Sequence, residues 1–353
     1  MGDAAVKPEA MRISAERLTQ FMIAVLMAKG MPQTSAATLA EVLVWADLRG
    51  VSSHGMARLS MYLRTIADGS MDPAAAPQID SRAGALFIVE GNRCAGPVAM
   101  KLALEEAGKR AKAFGVGMAV IRGTTHTGAI GRYAHAAAEQ GFAAIMFNGG
   151  PPNMAYHGAR VQSLATSPMA IGVPSLEGPL VLDMATATIA NGRLQQAVRT
   201  GEPIPPGCAL TKAGEPTTDA AAAEILLPLG GPKGSGMSFM FECLTGVMAA
   251  HPLLAGMIGP GGKSRHVHNA MLILIDIAAM RPLDEFKHDM SDLGAVVRAL
   301  PRLEPEVAIM LPGERGAGTF ERRSREGVPV SQKALAGLLD LAEKAGVAPP
   351  QLL

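Results

Sequence analysis

The stretch VGMAVIRG (116–123), TTHT (124–127), GAIGRYAHAAAEQG (128–141) and FAAIMFNG (142–149) decides the fold. Its two ends are short apolar runs bounded by glycine, which read as buried strands. The alanine-rich middle reads as a helix over 128–141. Strand, turn, helix, strand is the alternation of an α/β sheet domain. His126 then falls at the carboxyl end of a strand and beside a helix N-terminus. Open α/β sheets bind ligands there, and helix N-termini favour anions. Imidazole titrates near neutrality, so it suits proton exchange with a carbonyl or hydroxyl oxygen. The plainer alternative is a histidine that caps a turn.

The alternation extends outward. ALFIVEG (85–91) reads as a strand and 97–114 as a helix. MAIGVPS and PLVLDMA read as strands, ATIANGRLQQAVRTG (187–201) as a helix, and AMLILIDIA as one more strand. Between them, 201–235 is rich in Gly and Pro around a short strand at 225–229. A helix follows over about 237–250, and then a surface loop. The ends of the chain are helical. Ser14 caps a helix whose Leu18, Phe21, Met22, Val25 and Leu26 share one face. A second helix starts at Ser35, a third spans about 53–67, and an amphipathic tail helix begins at Ser331. There is no internal repeat.

A chain of 353 residues suggests two domains, at about 150 residues each. A composition that is 48% hydrophobic and 18% charged is that of a globular protein. Lys plus Arg number 32 and Asp plus Glu 31, for a net charge of +1, and aromatics are 4%. Nucleic acid and anionic membrane both favour a basic excess, and single-stranded nucleic acid also favours stacking surface. Neither partner is expected. Cys94, Cys208 and Cys243 are too few and too scattered for a disulfide framework or a zinc site. MGDAAVKPEAMRIS has no apolar signal core, and no apolar run approaches the ~20 residues of a membrane span. A cytoplasmic, soluble protein is expected.

Three further motifs carry chemistry. In DLRGVSSHGMARLSMY (47–62), His54, Arg58 and Tyr62 stand at i, i+4 and i+8, one face of a helix. Arg forks onto carboxylates, so this face could grip one; it could also be an ordinary polar face. Asp183 in LDMAT (182–186) could orient a histidine, bind a ribose hydroxyl or cap the next helix. PLGGPKGSG (228–236) offers backbone amides and Lys233 to a phosphate, or is simply a flexible loop. Other motifs fail. GxGxxG is absent; GGKS (261–264) has Met257 where a P-loop needs its first glycine; HVH (266–268) lacks a third ligand, so no metal is expected.

Together these motifs resemble the malate/L-lactate dehydrogenase family, which is distinct from the Rossmann lactate dehydrogenases. That family also includes ureidoglycolate, sulfolactate and cyclic-imine-reducing members. The resemblance runs from residue 12 to about 330. DLRGVSSHGMARL, THTGAIG, ATSPMAIGVP (165–174), LDMAT, GEPTTD (214–219), PLGGPKGSG and LPGER (311–315) carry it, in order and spacing together. It implies a non-Rossmann α/β fold. A mixed-sheet nicotinamide-binding domain (116–280) would lie beside a helical domain built from both chain ends (1–115 and 281–353). It also implies a homodimer, bound NAD or NADP, and a small 2-hydroxy or 2-oxo acid as substrate. His126 would exchange the proton, with Asp183 as its catalytic companion. Ser53, His54, Arg58 and Tyr62 would surround the substrate. Thr127, Gly128, Ala129, Asn148, Thr166, Ser167, Pro168, Asp183, Met184, Ala185, Thr186, Lys233, Gly313, Glu314 and Arg315 would contact the cofactor; Lys233 could instead meet the substrate.

The chain departs from the family pattern around the pocket. Thr127 replaces an aromatic, Ser167 an Asn, Ser235 a Tyr, Cys208 a Trp and Thr211 an Asp. Two other readings remain open: a reductase of cyclic imino acids, and a non-catalytic dimeric binding protein of the same fold.

Overall fold

A computed structural model describes residues 11–259 and 267–353. The GGKS motif at 261–264 and His266 of HVH lie outside the described residues, as do residues 1–10. The architecture is mixed α/β.

The main sheet has seven strands: β1 (Gln78–Ala83), β2 (Leu86–Glu90), β3 (Val116–Thr124), β4 (Phe142–Gly149), β5 (Met169–Val173), β6 (Leu180–Met184) and β7 (His268–Asp276). Their spatial order is β1-β2-β3-β7-β4-β5-β6. Only β2 and β3 run parallel among these neighbours; every other pairing is antiparallel. β7 comes last in sequence yet lies at the centre, hydrogen-bonded to β3 and β4. A strand covered on both faces reads as a continuous apolar run, as AMLILI does.

Helices α4 (Gly96–Phe114) and α5 (Gly131–Glu139) pack on the sheet. Ala99, Ala103, Ala107 and Ala111 recur every four residues along α4, and all are fully buried. Small side chains let α4 approach closely: a Cβ on Gly117 of β3 would sit 2.1 Å from the Ala107 carbonyl oxygen. Residues 78–114 thus build the sheet layer together with 116–184 and 268–276.

A second core joins the chain ends. It holds residues of α1 (Ala15–Met27), α2 (Gln33–Leu48), α3 (Leu59–Ala67) and α11 (Gln332–Ala345), including Leu18, Met22, Leu39, Leu43, Tyr62 and Leu338. Arg12–Ile13 pairs with Val328–Pro329 in an antiparallel ladder that ties the two ends. A small five-stranded sheet gathers 154–155, 162–164, 209–210, 216–217 and 225–226. Helix α6 (Asn191–Thr200) belongs to this part, with Leu194 and Ala197 in its core. Helix α7 (Pro232–Glu242) passes into a wider turn at Cys243–Val247, so the helix expected at 237–250 begins and ends earlier. Helix α8 (Leu254–Ile258) interrupts the expected surface loop. Two helices, α9 (Leu283–Arg298) and α10 (Glu314–Glu326), go beyond the sequence reading, as does β1.

The third expected helix needs correction. It starts at Leu59, not Ser53; Ser52–His54 and Met56–Arg58 form two single 3₁₀ turns. The cause is local. Gly55 is extended at ψ −147°, and the Met56 N–H donates to the Asp47 carboxylate instead of a preceding turn. Among the described residues, no helix is long and apolar enough to cross a membrane, and no cluster of His, Cys, Asp or Glu is arranged to hold a metal.

Candidate active site

Sheet register brings the sequence motifs to one edge. His268 of β7 pairs with Thr124 and Asn269 with Gly149; Met169 of β5 pairs with both Phe147 and Met184. The last residues of β3, β4 and β6 therefore meet the first residues of β5 and β7. This edge carries His126, Asn148, His268 and the segments 165–168 and 183–186.

His126 is half-buried just past β3. Its Nδ1 accepts the Gly128 N–H at 3.1 Å and lies 2.9 Å from the Tyr62 hydroxyl, which is also 2.9 Å from the His126 carbonyl oxygen. A backbone N–H can only donate, so Nδ1 is unprotonated and the neutral ring carries its proton on Nε2. Nε2 makes no hydrogen bond to the described residues. The His54 ring stacks on His126 at 5.5 Å, and the His268 ring meets it edge-on at 5.6 Å. Desolvation first, then repulsion between the charged imidazolium and the charged forms of His54, His268 and Arg58, holds the His126 pKa well below 6.5. Burial likewise pushes the Tyr62 phenol well up. A small cleft opens here between Met61, Tyr62, Thr65, Thr125, His126 and His268.

His54, Arg58 and Tyr62 do not share one helix face, because the 3₁₀ turns intervene. Two of them converge on His126 all the same: His54 by stacking and Tyr62 by hydrogen bonding. Ser53 Oγ lies 3.0 Å from His54 Nδ1, and burial followed by Arg58 lowers the His54 pKa to about 4. Arg58 Nε donates to the Ser53 carbonyl at 2.6 Å, which curls the guanidinium back over the same turn. Desolvation lowers its pKa, and among the described residues no carboxylate pairs with it. Ser53 also meets α6: a Cβ on Gly192 would fall 2.2 Å from Ser53 Cβ.

The remaining candidates fall into three groups. Around the strand ends, Thr127 Oγ1 and Asn148 Oδ1 are buried without a hydrogen-bond partner among the described residues. Two polar atoms left open at one sheet edge suit a polar ligand more than a closed core. Gly128 has φ +76° and a Cβ there would lie 2.6 Å from Val42, so the turn after His126 needs glycine; Ala129 packs on Trp45. Thr166 and Thr186 tie their strands together, Thr186 N and Oγ1 both donating to the Thr166 carbonyl. Ser167 Oγ accepts from Ser238 Oγ at 3.2 Å, and Pro168 receives the Asn148 N–H on its carbonyl. Met184 and Ala185 are half-buried between Asp183 and Thr186.

Asp183 makes no hydrogen bond to His126. Its Oδ2 accepts the Gly131 N–H at 2.9 Å, capping α5 rather than the helix that follows it in sequence. The residue keeps part of its surface open, but its carboxyl end is crowded by protein. Desolvation there raises the pKa to about 6, against the pull of that N–H and of Arg49. Lys233 is exposed at the start of α7, where Gly230 and Gly231 both have positive φ; a Cβ on Gly234 would touch the Thr186 carbonyl at 2.5 Å. The Lys233 loop therefore abuts the strand ends. Gly313 backs onto Val181 of β6, and its carbonyl accepts from Arg49 at 2.9 Å. Glu314 is committed inward: although desolvation works the other way, Arg298 and the Leu311 N–H hold its carboxyl below the usual range. Arg315 is exposed beside it. Sequence reasoning missed His268 as part of the cleft, since its neighbours in HVH suggested only a failed metal site.

The malate/L-lactate dehydrogenase family model matches residues 13–339. A malate dehydrogenase of Pyrococcus horikoshii is 33% identical over 347 residues, covering 95% of this chain and 96% of its own. A malate dehydrogenase structure from Entamoeba histolytica superposes with a TM-score of 0.90 at 27% identity, covering 97% of this chain and 100% of its own. A delta1-piperideine-2-carboxylate reductase structure from Pseudomonas syringae superposes with a TM-score of 0.81 at 28% identity, covering 94% and 99%. This chain belongs to the malate/L-lactate dehydrogenase family.

Proposed function

We propose that the protein transfers hydride between a nicotinamide dinucleotide and a small 2-hydroxy or 2-oxo acid. The observation that carries the reading is His126. Gly128 and Tyr62 fix its tautomer, Nε2 is left to the cleft, and the nearby Arg58 has no carboxylate partner among the described residues. The buried, unpaired polar atoms Thr127 Oγ1 and Asn148 Oδ1, beside the backbone of 166–168 and 184–186 and the exposed Lys233, support a dinucleotide laid along the sheet edge.

When bound in its reduced form, the nicotinamide supplies hydride to the carbonyl carbon. The chain's own residues do the rest. Arg58 forks onto the substrate carboxylate and fixes which face is presented. That carboxylate offsets the Arg58 charge, which depresses the His126 pKa after desolvation, His54 and His268, so its binding favours proton uptake at Nδ1 in place of the Gly128 N–H bond. The imidazolium Nε2–H then passes its proton to the oxygen on which charge develops, leaving a neutral ring protonated on Nδ1, where the Tyr62 oxygen accepts it while the Tyr62 hydroxyl donates to the His126 carbonyl. Tyr62 and Gly128 keep the ring edge aimed. Asp183 acts on the cofactor side, through α5, rather than on the imidazole.

The reading includes a homodimer, supported by Phe239, Met240, Val247 and Met248, apolar side chains about half exposed on α7 and the turn after it. A second reading, reduction of a cyclic imino acid, is supported by the similarity to the piperideine-carboxylate reductase and needs only C=N in place of C=O. One assay tests both. Oxidation of reduced NAD and reduced NADP is followed against pyruvate, oxaloacetate, sulfopyruvate and a cyclic imino acid. Turnover of an oxo acid is expected. Turnover of the imine alone moves the assignment to the second reading, and silence without cofactor binding overturns both.

A further inference from the structure

We propose that Asp47 is a positioning residue that fixes the turn bearing His54 and Arg58 in the form that receives substrate. The proposal rests on the reading of Arg58 and His126 given above. Asp47 lies in the last turn of α2 and is 1% exposed. Its Oδ2 accepts the Met56 N–H at 2.6 Å, and Gly55 lies against the carboxylate so closely that a Cβ would be 2.0 Å from Oδ1. Met56 opens the second of the two 3₁₀ turns. With its N–H taken, α3 cannot extend back through Ser53, and the break turns His54 onto His126 while Tyr62 reaches the same ring from α3. Arg58 Nε closes the turn from its other side on the Ser53 carbonyl.

A carboxylate is a costly group to bury, and an apolar residue would fill the space at less cost. Only an acceptor can hold the Met56 N–H. Burial first raises the Asp47 pKa to about 7, against the Met56 N–H and Arg323. Arg323 on α10 is the charged group facing it, and it also donates to the Asp47 carbonyl oxygen. The 55–56 turn presents only its N–H. The carboxylate therefore loses its charge, and part of its hold, as pH falls through about 7.

The test compares Asp47→Ala, which removes the acceptor, with Asp47→Asn, which keeps one. In Asp47→Ala, KM for the 2-oxo acid is expected to rise about tenfold or more with cofactor Kd unchanged. Asp47→Asn should recover most of that loss at pH 8 and lack the rise in KM that the wild type shows below pH 7. Gly55→Ala, which displaces the carboxylate from the other side, should reproduce the KM effect if Asp47→Ala fails to fold. A KM within twofold of wild type overturns the proposal. So does a parallel loss of KM, kcat, cofactor affinity and thermal midpoint in both Asp47 variants, which is the mark of a merely structural role. If the wild type turns over no oxo acid, the functional reading fails separately, and amide exchange decides: faster exchange confined to 53–58 in Asp47→Ala supports the positioning role, and unchanged exchange overturns it.

Discussion

At the scale of residues, the proposed chemistry rests on three side chains whose roles would separate kinetically. Arg58 is argued to bind the carboxylate, which transition state and ground state share. Arg58→Lys keeps the charge but loses the fork, so KM for the oxo acid should rise about tenfold while kcat changes little. Initial-rate kinetics on the best substrate check this. Tyr62 touches the imidazole and carbonyl of His126, so Tyr62→Phe should lower kcat by about tenfold and leave KM within twofold. The place of His126 just past a strand end is legible from the sequence alone. Asp47 and His268 are not, because their meaning depends on contacts with Met56 and His126, nine and 142 residues away along the chain. The i, i+4, i+8 spacing of His54, Arg58 and Tyr62 is legible but misleads, since the Asp47 carboxylate breaks the helix that the spacing assumes.

Among the elements, legibility follows burial. β7 announces itself as AMLILI because both its edges are paired and most of its side chains are buried. Leu272 in it is fully buried, and Leu272→Ala should cost about 2–5 kcal/mol in a urea titration. β1 has only Ile79 as a large apolar residue, and five of its six positions are exposed, so QIDSRA carries no alternation. α9 buries only Gly294 and α10 buries nothing, so neither needs an apolar stripe and periodicity could not mark them. α1 and α11 are legible at their starts, where Ser14 and Ser331 accept side-chain bonds from Arg17 N and Ala334 N. Caps and stripes are local signals. The pairing of Thr124 with His268, across intervening strands and helices, is not.

For the whole molecule, the two chain ends close one helical core, and its His54 and Tyr62 reach His126 at the sheet edge, so the proposed substrate-side and cofactor-side residues come from different parts of the sequence. Arg49 spans them, bonding Gly313 from the end of α2. Asp47, at the same junction, sets a pH dependence. It has a folded pKa near 7 against an ordinary 3.8, so the folded state holds more protons across that window. Its contribution to stability is therefore greatest at low pH and falls as pH rises from about 4 to about 7. The thermal midpoint of Asp47→Asn minus that of wild type should accordingly increase between pH 5 and pH 8, read by calorimetry. A difference that stays flat or falls would contradict the burial argument.

The most direct test of the central claim is the turnover of His126→Ala beside wild type, with cofactor binding measured on both. Loss of the proton donor is expected to reduce kcat by about 10²-fold or more while cofactor Kd stays the same. Near-normal turnover in the variant would contradict the account.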